Sequence, residues 1–419
     1  MTAFELRPST SRAKTRSGQL VWPKDRTVPG DLRSDLNPWL TQLGLVSDPV
    51  IDLVRLVTAA FLADQRVRRP SHTFTRTIDL TVQLVDPGRW TDEVLDDIAD
   101  LLAWLTGDAW SIEVEAERRT RRPARARRLP RAEAVSLLSG GLDSFAGATI
   151  TAADPSRIYF GQRDGATAVK HAQDEVAAWF EAHGQPIRYR RVRHGVGGPG
   201  KVEASTRSRA LLFMVLASAL AEASGATRVE VPENGFTSLN PPLGPERGGP
   251  LSTRSTHPAT FERVNALMAK LRIGVVLSNP YEWMTKGELV RAGAAAMPAG
   301  YEDGAALTLS CAKLDSGRYK GGDSTLNCGL CVACLVRRAS FLAAGVTDRS
   351  RYVKDQLTGD PLARLRANRH DDCAAVDAAI AAGIDDVALM SLGLPPTFDY
   401  EQGVDLCRRG LAELAFVAT

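Results

Sequence analysis

Val135-Ser136-Leu137-Leu138-Ser139-Gly140-Gly141-Leu142-Asp143-Ser144 joins a short apolar run to the start of a helix through a serine–glycine corner. Val135 to Leu138 reads as a buried strand and Asp143 to about Ala152 as a helix. Two glycines let the backbone approach an anion with no Cβ in the way, while the free amides and the dipole of the helix start favour negative charge there. Ser139 and Ser144 add hydroxyl donors, and Asp143 suits the magnesium ion that accompanies a nucleotide. The loop has neither the Gly-Lys-Ser/Thr of a Walker A loop nor the Gly-x-Gly-x-x-Gly of a dinucleotide site. A turn that merely caps a helix is the competing reading; the order strand, hexapeptide, helix argues against it.

Working outward, the same alternation continues. Strands are expected at Arg157 to Phe160, Ile187 to Val192, Arg228 to Val231 and Ile273 to Leu277, with helices at Val169 to Ala182, Arg207 to Ala223 and Thr260 to Lys270. Repeated βα units predict an α/β fold: a parallel sheet with helices on both faces and a ligand crevice at the carboxyl ends of the strands. This domain should span 132–346. Upstream, Thr73 to Val85 alternates like a half-buried strand, Trp90 to Leu105 has helical spacing and Trp110 to Val114 reads as a strand, which makes 49–117 a small α+β module. Residues 1–48, rich in Pro, Ser, Arg and Lys, are expected to be irregular, and 347–419 to form a helical extension with segments at Asp372 to Ala382 and Gly403 to Phe416. The stretch 118–131 carries eight arginines and two prolines. With no aromatic residues to stack bases, it reads as a solvated linker rather than a nucleic-acid tracker.

Lys and Arg number 52 against 49 Asp and Glu, a balance that argues against a dedicated nucleic-acid or membrane binder. Met1 to Gly30 holds no apolar targeting segment and no run is long enough to cross a bilayer, so a cytoplasmic location is expected. Cys328-Gly329-Leu330-Cys331-Val332-Ala333-Cys334, with Cys311 upstream, offers four thiolates. Four thiolates close a tetrahedral shell and leave no open position, which predicts a structural Zn2+ site that pins a loop. A redox Cys-x-x-Cys is the rival. Cys373 and Cys407 stand apart and read as inert thiols.

The remaining candidates lie in loops at strand ends. The loop from Pro232 to Leu243, followed by Leu251 to Pro258, is dense in donors and acceptors and is expected to cover the site, with Glu233, Asn234, Arg254 and His257 as substrate contacts; a glycine- and proline-rich surface excursion is the alternative. Whether His257 meets a ligand or simply packs stays open. Arg207 and Arg209 stand at a helix start, where the dipole gives them nothing and an anionic ligand would account for them. Lys286, in Thr285-Lys286-Gly287-Glu288, is expected to act with Asp143 in catalysis by neutralising phosphate or carboxylate charge; a solvated lysine is the alternative.

Ser-Gly-Gly-Leu-Asp-Ser at 139–144 resembles the signature of PP-loop ATP pyrophosphatases, which have a Rossmann-like fold of the HUP type and cleave ATP between its α and β phosphates. Phe160-Gly161-Gln162-Arg163 is similar to the Tyr-Gly-Gln-Arg stretch of 7-cyano-7-deazaguanine synthases, with Phe160 in place of tyrosine; the resemblance implies that Gln162 and Arg163 lie near the nucleotide, together with Gly140, Gly141 and Leu142 of the loop. The cysteine cluster, followed by Arg337 and Arg338, resembles the end of the same enzymes, although the gap from Cys311 to Cys328 is longer and implies an insertion around Gly317 to Ser324. Together with Leu105-Thr106-Gly107-Asp108-Ala109-Trp110, these segments resemble a branch of queuosine-synthase-like proteins in antiphage defence operons of the Qat type. The resemblance implies an ATP-dependent carbon–nitrogen ligase using Mg2+ and Zn2+. It would adenylate a 7-carboxy-7-deazaguanine-like acid and pass it to ammonia or to an amine on a protein partner from the same operon. Two other readings compete: a tRNA-modifying PP-loop enzyme, and a nucleotide-binding scaffold of a defence complex.

Overall fold

The computed structural model describes residues 2–8, 19–22, 32–34, 46–69, 75–117, 129–163, 167–196, 203, 207–243, 254–384 and 386–418. Most of the arginine-rich linker (118–128) and the loop 244–253 lie outside these. The first 48 residues, expected to be irregular, supply three strands: β1 (Thr2–Pro8), β2 (Gln19–Trp22) and β3 (Leu32–Ser34). Their partners explain the difference. β1 runs parallel to β2 and to β4 (Thr77–Leu84), and β3 runs antiparallel to β8 (Tyr189–Val196), so pairing with distant segments overrides a polar local composition.

After β3 comes α1 (Asp48–Arg66), then β4, α2 (Asp92–Thr106) and β5 (Ala109–Ala116). The first sheet has the order β2-β1-β4-β5 and is parallel throughout. No element was expected at α1. Its residues from Val50 to Ala63 are buried on almost every side, with the partial exception of Arg55, so the polar stripe that betrays a surface helix is missing.

The second sheet follows with β6 (Ala134–Leu137), α3 (Leu142–Thr151), β7 (Arg157–Arg163), α4 (Thr167–Ala182), β8, α5 (Arg209–Ser224), β9 (Arg228–Glu230), α6 (Gly235–Leu239), α7 (Pro258–Lys270), β10 (Val276–Ser278) and α8 (Lys286–Ala296). Its order is β10-β9-β6-β7-β8-β3, and the first five strands are parallel. From β6 the chain steps through β7 and β8 to one side and then returns to β9 and β10 on the other. The crevice beyond the carboxyl ends of β6 and β9 is therefore a topological switch point, where open α/β sheets bind ligands. Helix α5 is apolar all round because it lies between this sheet and α1, and one core runs through both sheets.

The chain closes with α9 (Tyr301–Ala306), α10 (Val332–Ala344), α11 (Val353–Gln356), α12 (Gly359–Ala367), α13 (His370–Ala382), α14 (Asp386–Met390) and α15 (Tyr400–Leu414). Between α9 and α10, the longer cysteine gap forms a compact loop with one 3-10 turn at Ser316–Arg318. A second core joins Phe236, Leu335, Ala339, Val376, Leu406 and Leu414, so the helical extension packs against α6 and α10, behind the switch point. Among the described residues, no helix is long and apolar enough to cross a membrane.

Candidate active site

The serine–glycine corner connects β6 to α3 at the switch point. Gly140 has φ +91, a backbone state that disfavours a side chain, and a Cβ there would sit 3.1 Å from Gln173 Cγ. Gly141 is the N-cap of α3. Ser144 Oγ accepts from the Ser139 amide at 3.2 Å and donates to the Gly141 carbonyl at 3.0 Å, which closes the corner into a ring. From outside, the Leu309 amide donates to the Gly140 carbonyl at 2.9 Å.

A cavity of about 240 Å³ opens over this corner, with Ser139, Asp143, Ser144, Glu233, Lys286 and Ser310 on its wall. Lys286 Nζ lies 2.6 Å from Asp143 Oδ1, and Asn234 Nδ2 donates to Asp143 Oδ2 at 2.7 Å. Asn234 also caps α6 by accepting from the Thr237 amide at 3.0 Å, and the Thr237 hydroxyl donates to Glu233 Oε1 at 2.9 Å. Asn279 Nδ2 holds the Glu233 carbonyl at 2.7 Å. Lys286 opens α8 behind a capping box in which Thr285 accepts from the Glu288 amide and the Glu288 carboxylate accepts from the Thr285 amide.

Two buried carboxyl groups so close cannot both be charged cheaply. Burial by itself pushes the Asp143 carboxyl up, but the Lys286 ammonium, with donors from Glu233 and Asn234, brings it down to about 2. Burial and then the Asp143 charge push Glu233 well above its ordinary value. The site thus sets an Asp143 kept anionic beside its lysine against a Glu233 carboxyl that holds its proton more tightly than usual. A cation entering between the carboxyl groups would find oxygen ligands, and an anion would find the serine hydroxyls, the helix amides and Lys286.

Cys311, Cys328, Cys331 and Cys334 are buried, and their sulfur atoms lie within 4.8 Å of one another. Sulfurs bound to a tetrahedral zinc at about 2.3 Å would stand about 3.8 Å apart. Cys328 to Cys334 is 3.8 Å and Cys311 to Cys331 is 3.9 Å, so the thiol set fits such an ion. Cys331 is the N-cap of α10 and its amide donates to Cys328 Sγ at 3.3 Å, both of which favour thiolate charge.

The other residues expected at the site are not on the wall of this cavity, although Gln173 Nε2 donates both to the Ser139 carbonyl of the corner and to the Gln162 carbonyl, each at 3.1 Å. Gln162 and Arg163 end β7, where Gln162 donates to the His194 carbonyl at 2.8 Å and Arg163 pairs with Asp174 at 3.7 Å. Arg207 sits beside a buried ionic cluster rather than in the cavity: Arg76 pairs with Asp64 and Asp108, Arg69 pairs with Asp108, and Arg207 donates to the Thr106 carbonyl at 3.4 Å. Its helix-start position, taken as a sign of an anionic ligand, is explained by those carboxylates. Arg209 opens α5. Arg254 stacks on Trp104 at 3.9 Å, and His257 packs edge-on to the same ring while its Nδ1 caps α7 by accepting from the Ala259 amide. For His257, packing is what the described residues provide. Thr237, inside the loop expected to cover the site, lines the cavity; so does Ser310, which no expectation covers and whose place beside Cys311 is the available sign.

No family model matches the chain. Curated relatives do. A 7-cyano-7-deazaguanine synthase of Ectopseudomonas mendocina (strain ymp) is 29% identical over 243 residues, which covers 52% of this chain and 98% of that protein. One from Ralstonia pickettii (strain 12J) is 28% identical over 252 residues, with the same shares. One from Cupriavidus necator reaches 45% over 69 residues, 16% of this chain and 25% of that protein. About half of this chain is thus distantly similar to nearly the whole of proteins named 7-cyano-7-deazaguanine synthase.

Proposed function

We propose that this chain is an ATP-dependent PP-loop enzyme that adenylates a 7-carboxy-7-deazaguanine-like acid and transfers it to nitrogen. The observation that carries the reading is the cavity over the serine–glycine corner, where Asp143, Glu233 and Lys286 meet a helix N-terminus. A carboxylate is a poor electrophile. In the proposed reaction its oxygen attacks the α-phosphorus, the bond to the β-phosphate breaks and pyrophosphate leaves. A nitrogen then attacks the acyl carbon, the bond to AMP breaks and the nitrogen loses its proton to solvent. Ser139, Ser144 and the α3 amides would hold the phosphates, and Lys286 would meet the charge that grows on the departing pyrophosphate.

Asp143 and Glu233 would hold Mg2+, which when bound screens phosphate charge. The four cysteines would hold Zn2+ in a structural role. Gln162, Arg163, Arg207, Arg209, Arg254 and His257 stand outside the described cavity, so the direct contacts proposed here are those of the corner, Glu233, Asn234 and Lys286. The likeness to synthase-named relatives over half the chain supports the deazaguanine acid as substrate class. The Qat-type segments suggest a cytoplasmic enzyme of antiphage defence, with operon neighbours as protein partners and ammonia or a partner amine as acceptor. The test is a reaction with MgATP, the deazaguanine acid, and ammonium or a purified neighbour. We expect AMP and pyrophosphate in equal amounts with a mass shift in the acid or the neighbour. No AMP and no mass shift would overturn the proposal.

A further inference from the structure

The motifs that carry the likeness to 7-cyano-7-deazaguanine synthases lie between Ser139 and Arg338, yet the segment presenting Lys286 is gripped by a helix near the other end of the chain. Glu413, in the last turn of α15, accepts from the Thr285 hydroxyl with one carboxylate oxygen and from the Gly287 amide at 3.0 Å with the other. A Cβ on Gly287 would lie 2.5 Å from Glu413 Oε1, so glycine there leaves the room that the carboxylate occupies. One turn earlier, Arg409 pairs with Glu288 and donates to the Trp283 carbonyl at 3.2 Å. Lys286 is thus flanked on both sides by residues tied to α15, while its own ammonium reaches Asp143.

The same helix backs the second arm of the site. The Phe236 ring packs on Gly410, where a Cβ would lie 2.3 Å from it, and Leu406 approaches Gly235. Gly235 in turn donates to the Met284 carbonyl at 2.7 Å, which stitches the Asn234 and Lys286 arms together. An electrostatic reason adds to the geometric one. A lysine at the first position of a helix faces the positive end of the dipole, and a carboxylate at the same end offsets it.

We infer that α15 sets the reach of Lys286 to the phosphate site, with Glu413 as the positioning residue acting through Thr285 and Gly287. The inference rests on the nucleotide reading of the cavity. It is tested with the full chain by calorimetric titration of MgATP into wild type, Lys286→Met, Glu413→Ala, Glu413→Gln and the Lys286→Met/Glu413→Ala pair, each checked for folding by thermal melt. Losing a charge-assisted contact to phosphate should make Lys286→Met bind about tenfold more weakly. Glu413→Ala should bind about fivefold more weakly, with Glu413→Gln between it and wild type because it keeps an acceptor but not the charge. The paired variant should bind no more weakly than Lys286→Met. The inference is overturned if Glu413→Ala binds like wild type, or if the two losses multiply, since a carboxylate acting only on general stability would not depend on Lys286. Should the alanine variant fail to fold, Glu413→Gln, alone and with Lys286→Met, carries the same comparison. Wild type that ignores MgATP would instead bring down the nucleotide reading, and this inference with it.

Discussion

Replacing Lys286 by methionine keeps most of the apolar stem and removes the ammonium that lies 2.6 Å from a buried carboxylate. Burial pushes the Asp143 carboxyl up, and the lysine with its neighbouring donors brings it from 3.8 to about 2. A folded value below the unfolded one contributes stability that is present above pH 3.8 and lost as pH falls through about 2. That displacement is worth about 2 kcal/mol at neutral pH. Stripping one partner from a buried pair costs more, about 3–5 kcal/mol, because the surviving charge has no counterion. Without Lys286, burial raises Asp143 against only the donors from Glu233 and Asn234, so its charge becomes a cost that protonation relieves. Lys286→Met should therefore lose about 3 kcal/mol at about pH 8 and clearly less at about pH 5. Urea denaturation at both pH values measures this, and Asp143→Asn in the same chain should restore most of the loss. Equal losses at the two pH values, or a loss below about 1 kcal/mol, would refute a buried, mutually dependent pair.

Glu233→Gln removes a carboxyl that burial and the Asp143 charge hold well above its ordinary value. A raised acid loses stability as pH climbs above its ordinary value of 4.5, so wild type should weaken relative to the variant as pH rises from there; parallel thermal-melt profiles would contradict the raised carboxyl. Gly140→Ala forces a side chain into positive φ and against Gln173, and should cost about 1–2 kcal/mol by chemical denaturation with a larger effect on MgATP affinity. Elemental analysis should find one tightly held metal ion per chain, absent from Cys334→Ser, with a lower melting temperature in the variant. Asn327→Ala keeps the thiols but removes the side chain that accepts from the Ser310 amide at 2.8 Å and donates to the Thr308 carbonyl at 3.1 Å; it should retain the metal by the same analysis and weaken MgATP binding in a titration.

What could be read locally was read well. β6 is a short, largely apolar run, β7 and β9 begin at the expected Arg157 and Arg228, and the serine–glycine corner is six adjacent residues whose meaning depends only on a strand before and a helix after. The limits appear where a residue's partner is far along the chain. Arg207 at a helix start reads as an anion site because Asp64, on α1, and Asp108, just before β5, face it from far along the chain. Arg254 gave no sign that its guanidinium would stack on Trp104. β1 and β3 are unremarkable until β4 and β8 pair with them, and α1 hides its period because it is covered on nearly all sides. The connection of Glu413 to Gly287 crosses more than a hundred residues and has no local sequence signature at all.

These distant ties also explain how an energetically awkward site survives. An anionic carboxylate, a second carboxyl and an ammonium are buried around a cavity at a cost that must be offset by rigid surroundings, since a loose site would relax by admitting water or separating the charges. Each wall is fixed from outside. The Ser310 wall is anchored by Leu309 bonding to Gly140, by Asn327 and by the fully buried Arg337, which donates to the Thr308 and Ser310 hydroxyls at 2.7 and 3.1 Å. Cys311 adds the thiol centre at the next position. The Glu233 and Asn234 wall is capped by Thr237 and held by Asn279, and α15 backs it together with Lys286. Because α15 backs both the Asn234 and the Lys286 arms, loosening that helix should disturb the two together while leaving the serine–glycine corner and the thiol centre in place.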